Sequence, residues 1–463
     1  MKTGILKTVS FGSMALIVPI LACTTLLEKC YGTPFALDYI YHSWWFIALW
    51  TVLAVSAMVY ILRTSRRCTL IMLHTSFAVI LLGAFLSFLT SQHGRIILAK
   101  DAVPASMFTT DDGRLEKLPF SLQLANIDTI YSKNSAQPCD YKAEVILDNR
   151  QKSQTLTVSL NNPMKFEGYS LCIKGGQESH LSLLVAHDTI GLPVSYIGYV
   201  MMFVSFIALL LDKQGGFTNI LQQLRKENKK RSKTVIFITN RARELFIITT
   251  VLICFRWYKT GLFPVSNGAE SMMFLAWVTS IFATIFKFKK QIAHITPILV
   301  ILSAATFLIA LISGWGKSNE IEPILRSPLL GIHVTTIIIA YALLCCTAIN
   351  AIIAVCSKNK EKRKSLALFG RALLYPATML LATGIFIGAV WANISWGRYW
   401  GWDPKEVWAL ATLLVCSFTF HTHSLPFMAK PNFFHIFCIA ITLMMLFTYL
   451  GVSLLLGGMH SYI

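Results

Sequence analysis

The chain has 463 residues, of which 55% are hydrophobic and only 14% are charged. Soluble proteins average about 25% charged residues, so this composition excludes an ordinary soluble domain and predicts a polytopic membrane protein. The formal net charge of +19 does not require a nucleic-acid partner, and none is expected, because Lys and Arg accumulate on the cytoplasmic loops of membrane proteins.

The eleven cysteines exclude several common motifs. No C-x-x-C occurs in the sequence, so it predicts neither a zinc ribbon, nor a thioredoxin-like motif, nor covalent c-type attachment of haem to this chain itself. Lys2 and Lys7 precede an apolar run that has no clear small-residue cleavage site. This pattern indicates an anchor helix rather than a removed signal peptide.

Eleven apolar runs approach the length needed to cross a hydrocarbon core of roughly 30 Å, and the fifth is the shortest. They lie near residues 10–27, 42–62, 69–90, 191–211, 244–258, 271–287, 293–314, 330–356, 369–391, 407–425 and 433–455. The sequence therefore predicts a polytopic α-helical membrane protein with about eleven transmembrane helices.

Basic residues cluster after the second, fourth, sixth and eighth runs; Arg63, Arg66 and Arg67, for example, follow the second. The positive-inside rule places these loops and the N-terminus in the cytoplasm, and an odd number of spans then places the C-terminus outside. The expected location is the cytoplasmic (inner) membrane. The longest basic loop, 212–243, is interpreted as a solvated linker between a module 1–211 and a module 244–463, and it can also bind anionic lipid.

Residues 91–190 form the one sizeable polar region, and the topology places it outside the membrane. Alternating apolar and polar residues at 120–124 and 156–160 are typical of strands, and Asp112-Gly113 and the segment 161–163 are typical of turns. The sequence therefore predicts a small β-rich extracytoplasmic domain.

The segment 391–408 holds five of the eleven tryptophans between two apolar runs, and its glycines and Pro404 oppose a continuous spanning helix. One interpretation is an interfacial aromatic belt. A belt needs only one or two rings per helix end, so the ring density favours a rigid platform for a large flat ligand, with haem as the obvious candidate. The predicted site comprises Trp396, Gly397, Arg398, Tyr399, Trp400, Trp402 and Asp403, the last expected to fix the loop.

Histidines within spans are candidate functional residues because burying a polar ring in a membrane is costly. The topology places His74 and His421 at matching depth in the inner half, and His333 and His460 on the outer side. Neutral imidazole is an axial ligand of haem iron, so each pair predicts one haem position. The alternative for each histidine is a hydrogen bond to a neighbouring helix carbonyl.

The remaining histidines are weaker candidates. His423 competes with His421, but residues two apart point to different sides of a helix. His294 and His435 lie near cytoplasmic span ends, where they are expected to snorkel. The outer domain and its borders contain His42, His93, His180 and His187.

Residues 396–406, W-G-R-Y-W-G-W-D-P-K-E, resemble the WWD signature of haem-handling proteins, in the form found in CcsA-type cytochrome c synthases. The family's two outer histidines fall on His333 and His460, and its inner histidine matches His421 better than His423. Further similar segments are 261–267, 270–277, 323–334 and 451–462. The resemblance covers most of 244–463.

The first half resembles the ResB/CcsB partner of that family, with three spans, an outer domain and a fourth span. Leu73 to Phe77, with Gly83, matches the partner's membrane histidine at His74, and 186–188 resembles its return to the membrane. The whole chain therefore resembles a fused CcsBA, or System II, synthase.

This resemblance implies export of haem b as cargo and its covalent attachment to the C-x-x-C-H cysteines of apocytochrome c, a holocytochrome c synthase (haem lyase) activity. Haem would pass from His74 and His421 to His333 and His460, beside the tryptophan stretch. Catalysis would be by positioning, with no further catalytic residue assigned. Arg398 and Arg326 are candidate donors to the haem propionates. The implied partners are haem, apocytochrome c, the lipid bilayer and thiol-reducing proteins, because the substrate thiols must be reduced.

Three alternatives remain at this point. A haem transporter would share the platform and the histidines but lack attachment activity. A haem-bearing electron-transfer subunit would retain its haem. A non-haem transporter would use the histidines as a proton relay.

Overall fold

The computed structural model of the protein describes residues 2–131, 138–149, 152–177, 179–226, 233–261, 263–287, 296–315 and 327–458. Three residues singled out above, His294, Arg326 and His460, lie outside the described residues.

The first half consists of four long helices with a β-sheet inserted before the last. A short helical segment, Thr33–Ala36, and a π-helical turn, Leu37–Tyr41, follow the first helix. The helices are α1 (Lys2–Tyr31), α2 (Trp44–Thr64), α3 (Cys68–Thr90) and α4 (Gly191–Leu211).

The second half is helical throughout its described length. A short helix, Pro426–Ala429, precedes the last long one, which continues as a π-helix over Phe447–Leu456. The elements are α5 (Gly216–Lys226), α6 (Lys233–Thr260), α7 (Gly268–Lys287), α8 (Thr296–Ile312), α9 (Pro328–Cys356), α10 (Lys360–Trp396), α11 (Pro404–Phe418) and α12 (Pro431–Leu446).

Each of the eleven predicted apolar runs overlaps a helix, which confirms the polytopic α-helical fold. Among the described residues, eight helices are long and apolar enough to cross a membrane, and α8 is apolar but shorter. The other two predicted spans are also helical. However, charged residues such as Arg241 and Arg256 interrupt the apolar sequence of α6, and α11 has only 15 residues.

The end of α11 differs from the prediction, because the helix ends at Phe418 rather than near residue 425. Arg371 of α10 donates hydrogen bonds to the carbonyls of Thr419 (3.0 Å) and Met428 (2.5 Å). Arg371 thereby satisfies the carbonyl of Thr419, directly after α11, and that of Met428 in the following short helix. His421 consequently lies in the turn after α11, not one turn inside a span.

The predicted solvated linker is partly wrong. Residues 216–226 form α5, in which Phe217, Ile220 and Leu224 recur at helical spacing. This apolar face packs against α10, where the rings of Phe217 and Tyr375 lie 5.5 Å apart. The basic loop therefore contains an amphipathic helix docked on the second half.

The β-rich prediction for 91–190 is confirmed. Eight antiparallel strands form one sheet in the order β5-β4-β3-β2-β1-β8-β7-β6, and the sheet curls so that β7 also contacts β3, β4 and β5. Alternating apolar residues face the enclosed core, and the predicted turn at Asp112-Gly113 joins β2 to β3. The strands are β1 (Gln92–Ala99), β2 (Ala105–Thr110), β3 (Leu115–Tyr131), β4 (Pro138–Asp148), β5 (Ser153–Ser159), β6 (Met164–Phe166), β7 (Tyr169–Gln177) and β8 (His180–His187).

The sheet connects directly to α3 and α4, which pack against each other along a seam of small residues. A Cβ on Gly83 would overlap the backbone of Ser195, and one on Gly198 would lie 2.9 Å from the backbone nitrogen of Ile80. Small residues allow membrane helices to approach closely, and dispersion contacts then stabilise the pair. The seam fixes where the sheet sits relative to the helices.

We expect Gly83→Val to destabilise the protein by about 1–3 kcal/mol, because the added methyl groups force α3 and α4 apart. Thermal unfolding of the detergent-solubilised protein, followed by tryptophan fluorescence, measures the change. Gly12→Val in α1 is the matched control, since nothing lies within 4 Å of a Cβ placed there. Equal losses in the two variants would contradict close packing at this seam.

Candidate functional site

The structure brings together the two histidines predicted for the inner position. The rings of His74 in α3 and His421 after α11 have centroids 6.1 Å apart and planes at 86°. An imidazole nitrogen lies about 2 Å from a metal that it binds, so two rings that share one metal have centroids on the order of 6 Å apart. The spacing fits one metal atom between the two rings.

The hydrogen bonds of these two rings define their tautomers. Nδ1 of His74 lies 2.8 Å from the carbonyl oxygen of Leu70, and Nδ1 of His421 lies 2.8 Å from that of Ser417. A carbonyl only accepts, so each Nδ1 carries the hydrogen and each Nε2 keeps its lone pair. Metal-binding histidines commonly show this arrangement, in which the second nitrogen donates to a backbone carbonyl.

His333 in α9 shares this pattern at a different place. Its Nδ1 lies 2.7 Å from the carbonyl oxygen of Gly384 in α10, and a Cβ on Gly388 would lie 2.6 Å from its ring. The ring therefore lies against the Gly384–Gly388 face of α10. Its predicted partner, His460, is outside the described residues, whose last member, Gly458, lies against Asp403 and Pro404.

A cavity of about 2510 Å³ runs along the junction of the two halves. This exceeds the roughly 300–1,000 Å³ of ordinary small-molecule pockets. His74 and His421 line one end, and residues 397–402 line the other. Val55 and Leu82 also line it and are 57% and 51% exposed, so the cavity opens sideways between α2 and α3.

The tryptophans are not arranged as one flat platform. Trp402 has a left-handed backbone conformation (φ 57°) and stacks on Tyr41 of the first half at 4.3 Å, while Trp400 is nearly perpendicular to it. Such a conformation is unfavourable for a bulky residue and persists only where surrounding contacts enforce it. Trp396 packs against Trp391 and does not line the cavity. Trp400 and Trp402 therefore present their rings to the cavity at different angles.

Tyr399 connects the tryptophan stretch to the first half. Its hydroxyl accepts a hydrogen bond from Ser195 (3.4 Å) and donates to Ser87 (3.3 Å), and Ser87 donates to Asp188. Burial raises the pKa of Tyr399, so the hydroxyl stays protonated and able to donate. Gly397, whose Cβ would lie 2.9 Å from that of Ala186, allows the sheet to approach this stretch closely.

Asp403 caps α11. Its carboxylate accepts the N–H of Lys405 at 3.1 Å and a bond from the third helical residue, while Glu406 accepts the N–H groups of Gly401 and Asp403. This reciprocal capping box satisfies backbone donors that a helix start leaves unpaired. The contacts agree with the expectation that Asp403 fixes the loop.

At the end of the cavity with the tryptophan stretch, Arg398 and His93 of β1 both line the wall. This histidine is only a weak candidate on the sequence alone. Burial and the charge of Arg398 lower the pKa of His93, whereas Asp111 and Asp188 act in the opposite direction. The ring is therefore neutral near pH 7. All four side chains line the cavity, so the sheet contributes polar groups to the same end as the tryptophans.

Cys172 of β7 lies beside the end of α10, where its thiol donates to the carbonyl of Ile394 at 3.4 Å. Burial raises the pKa of this thiol to about 11. The thiolate is the reactive form of cysteine, so Cys172 is an inert thiol near neutral pH although it adjoins the tryptophan stretch.

Of the other histidines, two line the cavity and two are packed elsewhere in the fold. His42 and His423 line the cavity, and His423 is exposed, so the ring that meets His74 is that of His421. The snorkelling interpretation of His435 is wrong: it is 0% exposed, and its Nε2 lies 3.2 Å from the carbonyl oxygen of Arg363. His187 stacks on Tyr169 at 4.2 Å, within the sheet.

Sequence reasoning did not predict Tyr41, Arg67 and Tyr375 as residues of a site, and it gave His93 little weight, yet all four line the cavity. No local pattern separates Arg67 from Arg63 and Arg66, which belong to the same basic cluster but do not line the cavity. Its position depends on how α3 packs against helices far away in the sequence.

Comparison with known proteins agrees with this architecture. The family model described as cytochrome C assembly protein matches residues 265–460, and that of the ResB-like family matches 63–187. The cytochrome c biogenesis protein CcsA of Guillardia theta is 32% identical over 267 residues, covering 50% of this chain and 88% of the relative. The CcsA protein of Chlamydomonas reinhardtii is 35% identical over 235 residues, covering 47% of this chain and 65% of the relative.

The two matched regions lie on either side of α5 and within one polypeptide. Cytochrome c biogenesis involves haem and apocytochrome c, and a multi-pass membrane protein with a cavity large enough to admit haem suits that role. The chain belongs to the CcsA family of cytochrome c biogenesis proteins and carries a ResB-like region ahead of it, as a fused CcsBA-type protein does.

Proposed function

We propose that this protein carries haem across the cytoplasmic membrane and attaches it to the C-x-x-C-H cysteines of apocytochrome c. The observation that supports this most directly is that one cavity has the histidine pair at one end and the tryptophan stretch at the other. A transporter of a large flat molecule needs such a continuous enclosure, and a synthase also needs an open outer end.

In this proposal haem b is cargo, and the inner histidines receive it first. Nε2 of His74 and Nε2 of His421 ligate the iron from opposite faces, because each Nδ1 is already bonded to a carbonyl. The positive-inside rule puts this end of the cavity at the cytoplasmic side, with the N-terminus inside and the sheet, the tryptophan stretch and the C-terminus outside.

The outer position is proposed to use His333 and His460. His333 lies on the Gly384–Gly388 face of α10, whereas Met379, Phe386 and Asn393, which line the cavity, lie on the opposite face. Haem that moves between the two positions must therefore pass the C-terminal end of α10. That end is where the tryptophan stretch begins, with Trp400 and Trp402 as the proposed stacking surfaces and Arg398 as the proposed donor to a propionate.

Attachment is proposed to be an addition without net oxidation or reduction. The S–H bond of a substrate cysteine breaks, a C–S bond forms at the vinyl carbon next to the ring, and the proton ends on the terminal vinyl carbon. Two such additions give two thioethers. The protein contributes proximity and orientation, and thiol-reducing proteins are proposed partners because a disulfide in the substrate cannot add.

A haem transporter that delivers its cargo to a separate synthase is the second candidate. The side opening of the cavity between α2 and α3 is the observation that favours it, since haem can leave there without meeting a cytochrome. A haem-bearing electron-transfer subunit would instead keep its haem. Only the synthase yields covalent haem on a coexpressed apocytochrome.

We expect His74→Ala and His421→Ala each to lower covalent haem on a coexpressed apocytochrome about tenfold or more, and to weaken the low-spin absorption bands of the purified protein. The physical reason is loss of one axial ligand. His423→Ala, in the same turn but exposed, is the control and should behave as wild type. A wild-type protein that binds haem but leaves the apocytochrome unmodified would favour the transporter.

We expect Asp403→Ala to destabilise the protein by about 1 kcal/mol, because the cap of α11 is lost, and to lower attachment several-fold. Asp403→Asn should retain both properties, since asparagine is an equally good cap. Thermal unfolding and the attachment assay measure the two effects. If the Asn variant folds and binds haem normally but fails to attach it, the carboxylate acts in the chemistry and the capping role is insufficient.

We expect Cys172→Ala to leave attachment unchanged from pH 7 to pH 9. With a pKa raised to about 11, the thiol stays protonated throughout this range and supplies no nucleophile. Attachment and iodoacetamide labelling are measured at each pH, with Cys23→Ala, at an exposed position in α1, as the control. Loss of attachment with normal haem binding in Cys172→Ala alone would assign this thiol a chemical role.

A further inference from the structure

Haem carries two carboxylates on one edge, and this edge poses the main electrostatic problem for an apolar cavity. Moving a carboxylate from water into apolar surroundings is costly unless a cation and hydrogen-bond donors receive it. The cavity wall should therefore hold a cation wherever haem rests. The orientation of haem at the inner position is inferred here, and it rests on the proposed function.

The permanent positive charges on the described wall of the cavity belong to Arg67 and Arg398. Arg398 is at the end with the tryptophan stretch, and Arg67 is at the end with the histidine pair. Arg63 and Arg66 stand in the same connection between α2 and α3 but are not part of the wall. Each end of the cavity thus has one guanidinium.

Arg67 directly precedes α3, seven residues before His74, which corresponds to about 10 Å along the helix. Its backbone N–H donates to the hydroxyl of Ser65 at 3.2 Å. Thr69 lines the wall two residues further on, and its buried hydroxyl oxygen has no hydrogen-bond partner among the described residues. A buried, unbonded hydroxyl beside an arginine on a cavity wall suits an anionic ligand.

Tyr375 of α10 approaches the same place from the opposite side. Its ring lies 4.6 Å from that of Phe420, the neighbour of His421, and Tyr375 and Arg67 both line the cavity. The acidic residue on this part of the wall, Asp212, accepts the backbone N–H of Gln214 at 2.9 Å and so belongs to its own turn.

We propose that Arg67, with the hydroxyls of Thr69 and Tyr375, is the carboxylate-binding site of the inner position and receives a haem propionate. The propionate edge then faces the cytoplasmic mouth. The opposite edge of the ring points along the cavity toward the tryptophan stretch. Arg67 thereby sets the direction in which haem enters, in addition to any contribution to loop charge.

The test compares haemin with haemin dimethyl ester, in which both propionates are esterified. Each is titrated into the full-length protein in lipid nanodiscs, and binding is read from the low-spin absorbance that His421→Ala abolishes. In the wild type, the ester should bind about tenfold or more weakly, as expected for loss of a charge-assisted hydrogen bond. Arg67→Met should bind both compounds equally and as weakly as the wild type binds the ester, and Arg67→Lys should recover part of the difference.

Arg66→Met is the matched control, because it removes the same charge from the same connection without altering the cavity wall. It should discriminate between the two compounds as the wild type does. Each variant is its own reference, since a general loss of structure weakens both compounds alike. An Arg67→Met protein that still prefers haemin tenfold, or an Arg66→Met protein that loses the preference equally, would overturn the assignment.

The proposed function can fail separately. If neither compound gives His421-dependent absorbance in the wild type, the inner histidines do not bind haem, and this carboxylate site falls with them. If both compounds bind through His421 with equal affinity in the wild type, the inner haem position stands and the role of Arg67 is rejected.

Discussion

The carboxylate of Asp188 joins the parts of the protein on which the rest of the structure depends. It accepts hydrogen bonds from the N–H of Gly191, at the start of α4, and from Ser87, near the end of α3; Ser87 in turn accepts from Tyr399. Unpaired polar groups are costly in surroundings of low dielectric, so such a chain of bonds favours a single arrangement. The sheet, the α3–α4 pair and the tryptophan stretch are therefore held in one relative position.

The same need to satisfy polar groups determines which ring nitrogen of each histidine carries the hydrogen. His74, His421 and His333 each donate from Nδ1 to a backbone carbonyl. For His74 and His421, the hydrogen bond that makes an imidazole tolerable inside a membrane also leaves the lone pair on Nε2, the nitrogen that can bind a metal. The two interpretations opposed in the sequence, a carbonyl-bonded histidine and a haem ligand, are therefore compatible in one side chain, because they use different nitrogens.

Charge in this protein matters by position more than by number. The net charge of +19 belongs to the whole chain, yet the described cavity wall holds only two guanidinium groups, one at each end. Between them the wall is largely apolar, which suits the flat ring of haem, while the ends suit its carboxylates. Helix α10 separates the cavity from His333, and the tryptophan stretch follows the end of α10 and bounds the cavity there.

The sequence by itself determined the spans, the β-rich insertion, the tryptophan stretch and the candidate histidines, because length, alternation and residue type are properties of single segments. The predicted topology paired His74 with His421 by depth, and the family resemblance agreed with that pairing. Only the tertiary structure decided that α11 ends at Phe418, since Arg371 of α10 donates a hydrogen bond to the carbonyl of Thr419, 48 residues away in the sequence. It also decided that Trp402 stacks on Tyr41 and that Arg67 alone of its cluster lines the cavity. These features depend on contacts between segments hundreds of residues apart, which no local pattern records.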